Sequence, residues 1–505
     1  MNEQKAMSVV TAYTKIPYSV FATELEGTLK ENFNQEINEI MGFYEVYLNG
    51  ADFTSEGSGG DYAPSQLKYK KAADLINKEA RFLFSIPPSF TVNPNKSGMS
   101  EVEKEQNTQL NDFLMCTLNK MRISAKLVKA AKDCFIGKRV ACMLNFNETE
   151  GITATFLNST EFLYKFRGNE LEKIVAIYIL QDAANKSDQI IMKKIYEMGD
   201  DGYCYVEEAL YSGTGELKEE GRLERTRTLF QRIPAVIIFN DGLSNDVQGV
   251  SDLADQVDYE SAYSKLANGD IDAERKSMNP IRYAIDASDN STQNLSSSPG
   301  SFWDIQSNQN GSDPKTAKVG MMEANMSYSG ALKVTLDRIE NTMFSNLEIP
   351  NINSEKLQGV ITSGKTLKAL YWSLIVRCNE KMLAWEPALV YIADCIIEGA
   401  KLYPESKAAL MKNDSHNYDI PDIPYEIKVE NNYPLPEDEQ EEKTIDLAEV
   451  SAQTMSRKSY MKKWRGLTDE EIQAELQQIA LERQMLEDSF MPMTQEGSYA
   501  GIETT

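Results

Sequence analysis

The sequence predicts an α+β chain, mostly helical, and three patterns carry that prediction. Long stretches repeat apolar residues at three- and four-residue steps, the period of a helix with one buried face. One block, from Arg139 to Phe239, switches to short runs rich in Val, Ile, Tyr and Phe with turn residues between them, as antiparallel sheet requires. At 505 residues the chain is long enough for several cores.

Taken in order, the first element is an amphipathic helical region over about 19–48, followed by a Gly/Ser-rich loop, Asp52–Asp61. Gln66–Ser85 places Leu67, Ala72, Leu75, Ile76, Ala80 and Leu83 on one face, and Pro87 and Pro88 stop that helix. Helices follow at about 101–119 and 122–136. The strand block comprises Arg139–Phe146, Ile152–Leu157, Glu161–Phe166, Lys173–Leu180, Gln189–Glu197 and Gly202–Tyr211, and ends in Ile233–Phe239. Ser251 reads as an N-cap with acids behind it, opening a helix to about 277. Residues 286–314 are polar and rich in Asn and Ser, an excursion with a hairpin around Phe302–Ile305. A helix over about 328–347 carries Leu332, Leu336, Ile339, Met343 and Leu347 on one stripe. A long helix is predicted from Gly364 to Tyr403, kinked or broken at Pro387. The remainder reads as extended Ile420–Val429, a helix opened by the acids Glu437–Glu442, and a basic helix Arg457–Arg465 closed by Gly466. A last helix, capped by Thr468 and Glu471, runs to about Ser489, before a disordered tail.

Composition excludes several function classes. No run of 18 apolar residues exists, so no membrane span is expected, and the N-terminal segment lacks the basic start and apolar core of a secretory signal. Six cysteines without C-x-x-C pairs and one histidine, His416, argue for reduced thiols rather than a zinc site. With 77 acids against 52 bases the net charge is −25. A factor that grips DNA needs clustered lysine and arginine, so an ordinary DNA-binding protein is excluded. A conduit through which DNA slides without sticking is not. Carboxylate pairs such as Asp252/Asp255 read as charged helix ends rather than acid/base pairs.

One motif demands weighing. Gly359, Gly364, Lys365 and Thr366 complete the phosphate-loop pattern G-x-x-x-x-G-K-[ST]. A phosphate loop needs a buried strand ahead of it, and here PNINSEKLQ is polar and opens with proline. The best magnesium-holding acid, Asp394, continues the following helical region instead of ending a neighbouring strand. The segment therefore reads as a polar loop feeding a helix.

Several stretches then fall into a familiar order. Tyr69–Phe90 is a helix with a Pro- and Phe-containing exit. Ile233–Asp241 leads to the helix after Ser251, and two helices flank 278–326. Glu348–Leu367 passes a loop into a long helix. Tyr425–Gln484 carries a strand, the turn Pro434–Asp438, Met455–Arg457 and a charged helix. This succession resembles the portal proteins of tailed double-stranded-DNA bacteriophages, the long-tailed type in particular. The resemblance implies a portal fold with an α/β wing, a two-helix stem, a small clip, a long kinked helix and a helical crown, assembled as a ring. Its implied boundaries are wing 1–250, stem helices 251–277 and 327–347, clip 278–326, tunnel loop 348–363, long helix 364–402 and crown 403–490, with the tail at 491–505.

The same resemblance implies a ring, commonly dodecameric, at one capsid vertex of the virion, assembled in the host cytoplasm. Such a ring is built with major capsid and scaffolding proteins, docks the terminase large subunit, and later holds the head–tail adaptor. Double-stranded DNA passes through its channel during packaging and ejection, and neither cofactor nor catalytic site is needed. The implied channel loop contains Asn351, Asn353, Ser354, Glu355, Lys356 and Gln358. Lys356, Lys365 and Lys368 are its candidate phosphate contacts, and Phe302 and Trp303 the candidate clip interface. Two rivals are a packaging ATPase using Gly359–Thr366 and a structural capsid subunit without a channel.

Overall fold

A computed structural model describes residues 20, 24, 28–54, 63–94, 100–181, 189–244, 246, 248–278, 281–288, 303–307, 316–322, 326–352, 364–412, 418, 420–435 and 439–489. The chain divides into two compact units, one of residues 1–353 with 370–434, the other of 354–369 with 435–505.

In the first unit, α1 (Thr28–Asn49), α2 (Lys71–Phe84), α3 (Glu101–Lys120) and α4 (Ile123–Gly137) form a helical layer. α3 is started by a reciprocal capping box between Ser100 and Glu103. The apolar stripe read for α2 faces inward at Leu75, Ile76, Ala80 and Leu83, and Leu127, Ala131, Cys134 and Phe135 of α4 are buried as well. The strand block folds into two antiparallel sheets. β2 (Arg139–Asn147) lies between β3 (Gly151–Asn158) and β9 (Ala235–Phe239). β4 (Phe162–Arg167), β5 (Glu170–Gln181), β6 (Gln189–Met198), β7 (Cys204–Ser212) and β8 (Leu217–Arg227) form a five-stranded meander. Ala141 and Met143 of β2 pack with Phe162, Ile174, Ala176 and Tyr196 of the meander.

β8 was not legible in the sequence, because LKEEGRLERTR lacks the apolar alternation of a strand. It exists as the edge of the meander, pairing with β7 through two register shifts. A charged, irregular edge also resists pairing with other chains. β1 (Ser89–Pro94) pairs antiparallel with β12 (Tyr425–Glu430), so the predicted extended segment 420–429 becomes a strand only over its second half.

α5 (Val257–Met278) begins six residues after Ser251. The Ser251 hydroxyl is occupied elsewhere, donating to the Phe135 carbonyl and accepting from Leu253 N, so it is not the helix cap. The hairpin β10 (Ile281–Ile285) and β11 (Lys318–Met322) follows α5. The hairpin expected around Phe302–Ile305 falls partly outside the described residues, and the described part carries a bridge from Ser307 back to Ala287. α6 (Ser329–Asn346) packs against α5. α7 (Gly364–Leu370) ends before Tyr371, and α8 (Trp372–Leu402) and α9 (Pro404–Met411) follow.

Of the kink or break expected at Pro387, the break does not occur: α8 is continuous through it. Proline deprives the Leu383 carbonyl of its partner, but Leu383 is 75% exposed, so water can take that bond. Gly399 admits the Phe146 ring, which would lie 2.1 Å from any added Cβ. None of the six cysteines is in a disulfide, and five of them are buried.

In the second unit α10 (Glu439–Ser451), α11 (Arg457–Arg465) and α12 (Asp469–Ser489) are joined by charge. Lys463 meets Asp446 at 2.8 Å, Lys458 meets Asp469 at 3.4 Å and Arg465 meets Glu475 at 3.0 Å. The basic helix thus finds acids of its own chain. Thr468 and Glu471 cap α12 as the sequence predicts, and Gly466 closes α11 in the left-handed region. The tail from 490 and His416 lie outside the described residues.

α2 starts at Lys71, not at Gln66, for a reason that lies on α5. Gln256, Glu260, Ser264, Asn268 and Asp272 are four residues apart and all buried, forming a polar stripe down one helix face. Residues 63–70 lie extended along it. Asn268 takes both Leu67 N–H (2.8 Å) and Leu67 C=O (2.7 Å), and Asp272 accepts from Ser65 N at 3.0 Å. Glu260 accepts from Ala51 N at 3.1 Å and from Ala72 N, in the first turn of α2, at 2.8 Å. Lys70, in the left-handed region, offers α2 no side-chain cap, so a carboxylate 188 residues downstream supplies it. Glu260→Ala should therefore lower unfolding stability by about 2–3 kcal/mol, a lost cap plus orphaned buried N–H groups. Glu260→Gln, which keeps one acceptor, should lose less. Chemical denaturation measures both, and equal stability of wild type and the Ala variant would refute the capping role.

Near the β3–β4 turn, burial raises the Glu161 pKa to about 8 despite the Asn158 N–H it accepts, and burial raises Asp133 to about 6 although Tyr44 donates to it. A folded-state pKa above the unfolded value means the unfolded chain sheds the proton first. Stability contributed by Glu161 therefore falls as pH rises from about 4.5 to about 8. Glu161→Gln should flatten the stability–pH curve over that window. Denaturation midpoints at pH 5 through 8 would test it, and an unchanged slope would count against the shift.

Candidate functional site

The loop predicted to face a channel leaves α6 from an anchored base. Leu347 and Ile349 are buried, and Asn351 Nδ2 donates to Asn341 Oδ1 on α6 at 2.9 Å. Of the predicted loop residues, only Asn351 is described; Asn353, Ser354, Glu355, Lys356 and Gln358 lie outside the described residues, as does Gly359. Lys365 belongs to α7 but its side chain is not described, whereas Lys368 on the same helix is exposed. Phe302 also lies outside, and Trp303 is half-buried. The predicted residues are therefore not brought together as a described constellation.

What the structure does assemble is a buried box of charge behind the start of α8, which sequence reasoning missed. Arg377 Nε donates to Glu79 Oε1 at 2.7 Å and its Nη2 to Asp252 Oδ1 at 2.8 Å. One turn on, Lys381 Nζ donates to Asp252 Oδ2 at 2.6 Å and to Asn240 Oδ1 at 2.7 Å, and lies 3.3 Å from Glu79 Oε1. Lys381 also sits 3.9 Å from the centre of the Phe135 ring. Asp252 N donates to the Phe135 carbonyl. Two acids and two bases thus tie α2, the exit of α4, the end of β9, the lead-in to α5 and α8 at one point.

Asp252 is accordingly no exposed helix end, as its pairing with Asp255 in the sequence suggested. Burial alone would lower the Lys381 pKa, but Asp252 and then Glu79 outweigh it and the net direction is up. Arg377 shifts upward for the same reason, its two acid partners overcoming burial. Both cations stay charged, whereas burial pushes the Glu79 carboxyl above its ordinary range, against the pull of Lys381 and Arg377. The signal available in the sequence was Arg377 and Lys381 interrupting the otherwise apolar face of Leu374, Cys378 and Met382.

At its start α8 is held by aromatic stacking. Phe82 of α2 lies between Tyr371 and Tyr433, with ring centres 5.6 and 5.2 Å away and near-parallel planes. Asp394, the sequence's best metal-holding acid, is engaged in a structural role. Arg232 Nη2 reaches it at 2.7 Å, and Tyr425 OH donates to it at 2.7 Å. Among the described residues no group of three or more His, Cys, Asp and Glu could hold a metal ion. Among them, too, no helix is long and apolar enough to cross a membrane.

A family model described as phage portal protein, SPP1 Gp6-like, matches residues 26–488. The chain belongs to that family, whose members are generally structural rather than enzymatic. None of the curated proteins matches it. Among solved structures, a chain from the virion of a native gene transfer agent particle aligns with 82% of this chain and 96% of its own length. Its identity is 9% and its TM-score 0.36, a likeness too loose to bear on the site.

The charge box predicts strong coupling. Lys381→Met alone should cost about 3–5 kcal/mol, because it leaves Asp252 and Glu79 buried with one cation fewer. Combining it with Asp252→Asn should cost clearly less than the sum of the single losses. Additive losses in a double-mutant cycle would show that the box is not a unit.

Proposed function

We propose that this protein is the portal subunit of a tailed double-stranded-DNA phage, closing into a dodecameric ring at one capsid vertex. Duplex DNA passes through its channel during packaging and ejection. The ring docks the terminase large subunit and then the head–tail adaptor, and is built in with major capsid and scaffolding proteins. Membership of the portal family over residues 26–488 carries this reading. On it, residues 1–250 are the wing, α5 and α6 the stem, 278–326 the clip, 348–363 the tunnel loop, 364–402 the long helix and 403–490 the crown. Asn351, Asn353, Ser354, Glu355, Lys356 and Gln358 line the channel, with Lys356, Lys365 and Lys368 near passing phosphates.

The hairpin β10–β11 supports assembly on physical grounds. Tyr283 and Ile285 lie on one face, where the Tyr283 ring crosses Gly320, and Val319 and Met321 lie on the other. Their exposures are 43%, 51%, 50% and 61%. A two-stranded ribbon with apolar side chains on both faces is not stable in water by itself. A head-to-tail ring gives each face a neighbour, which a two-fold dimer does not.

Val319→Glu with Met321→Glu should leave the subunit folded and abolish the ring. Solution mass and face-on electron micrographs are the readouts. A wild-type chain that stays monomeric, or forms particles without a central hole under assembly conditions, would overturn the reading.

A further inference from the structure

α4 carries a basic stripe. Arg122, at its N-terminal boundary, is followed by Lys126, Lys129 and Lys132 at three- and four-residue steps. Lys126 is engaged, its Nζ donating to the Ala154 carbonyl at 2.6 Å. Lys129 is exposed and Lys132 half-buried. α2 packs against α4. Both helices bury alanines, Ala72, Ala73 and Ala80 on one and Ala130 and Ala131 on the other, which allows close approach. That packing brings the exposed Arg81 of α2 beside the stripe. Burial first, and then the positive charges of Arg81 and Lys129, depress the Lys132 pKa, against a partial pull from Asp133. Asp133 itself accepts from Tyr44 OH at 3.0 Å. Arg81, Lys129 and Lys132 form no ion pair with a described residue, whereas Lys78 nearby is bridged to Asp74 at 2.9 Å.

Three like charges held together, with Asp133 beside Lys132 as only a partial counter-charge, destabilise the subunit that carries them. The one carboxyl at hand, Asp133, is itself engaged by the Tyr44 hydroxyl and forms no ion pair with the cluster. We infer that Arg81, Lys129 and Lys132 form a docking face for the phosphate backbone of duplex DNA. The planar fork of Arg81 on α2 and the two ammonium groups on α4 suit phosphate oxygens, contacts that read no bases. The identity of the polyanion, though not the existence of the site, follows from the portal reading. The face lies on the helical layer of the first unit.

The test uses the purified full chain and a fluorescent mixed-sequence duplex of about 30 base pairs, with anisotropy read between roughly 50 and 200 mM salt. The wild type should bind with strong salt dependence. The combined variant Arg81→Gln, Lys129→Gln, Lys132→Met should bind at least tenfold more weakly, with the log–log salt slope reduced by about 2–3. Its thermal midpoint should be equal or higher, since the substitutions remove repulsion. A merely structural role would lower it. Unchanged binding by the variant, no wild-type binding at the lowest salt, or displacement by polyglutamate as effective as by unlabelled DNA would each overturn the proposal. Micrographs of the same samples separate the two readings. Rings that do not bind DNA overturn this face alone, whereas DNA binding that depends on these residues without rings supports the face and overturns the ring.

Discussion

Four charges withdrawn from water govern how the first unit is put together. Glu79, Asp252, Arg377 and Lys381 would each be costly to bury alone, and each is tolerable only with the other three in place. Their partners lie 125 to 302 residues away along the chain. The box therefore cannot form in part: α2, α8 and the lead-in to α5 dock together or leave a charge stranded. Hydrophobic packing around Trp385 and Phe84 supplies much of the favourable energy here, with the rings edge-on at 4.9 Å. The box supplies selection among packings, because a shift of α8 that kept its apolar face buried would still separate the ions.

The stripe on α5 applies the same logic to backbone groups. Side chains at four-residue intervals stand in for the neighbouring strand that residues 63–72 lack, and Glu260 stands in for a local cap on α2. Buried N–H groups need partners wherever they lie. A helix face can supply them when its polar residues are repeated at helical period. In both devices, burial of polar groups specifies position.

Polar specification also explains which parts of the fold could be read from the sequence. Elements defined by an apolar stripe and a local cap were legible to within a residue or two, as with Glu101–Lys120, Ile123–Gly137, Ser329–Asn346 and the Thr468 cap. The meander strands were legible for the same reason, except β8, whose charges hide it. Errors fell where distant polar partners decide the outcome. Leu67 sits on the helical stripe of the sequence, yet its backbone is bonded to Asn268 and its side chain is 57% exposed. Asp252 looks like a helix-end acid, and Ser251 like a cap, until Arg377, Lys381 and Phe135 are placed around them. The candidate loop was legible as a polar segment before a helix, but only the Asn351 anchor has a described contact, and no period in a sequence shows which residues converge on a box.

Net charge, finally, is a poor guide to local electrostatics in this chain. Part of the acidic complement is internal: Glu79, Asp252, Glu260 and Asp272 are buried against cations or backbone N–H groups. Others are paired on the surface, as in the second unit, where the helix RKSYMKKWR is bridged to acids on both flanking helices. The remaining surplus sets a field that repels a polyanion at long range, whereas contact within about one Debye length is decided by the nearest charges. A subunit that repels DNA in general and meets it at a few weakly compensated cations would touch it weakly and let go easily. On the proposed portal reading, that balance suits passage, since a basic surface continuous enough to hold duplex DNA by counterion release would also resist its movement.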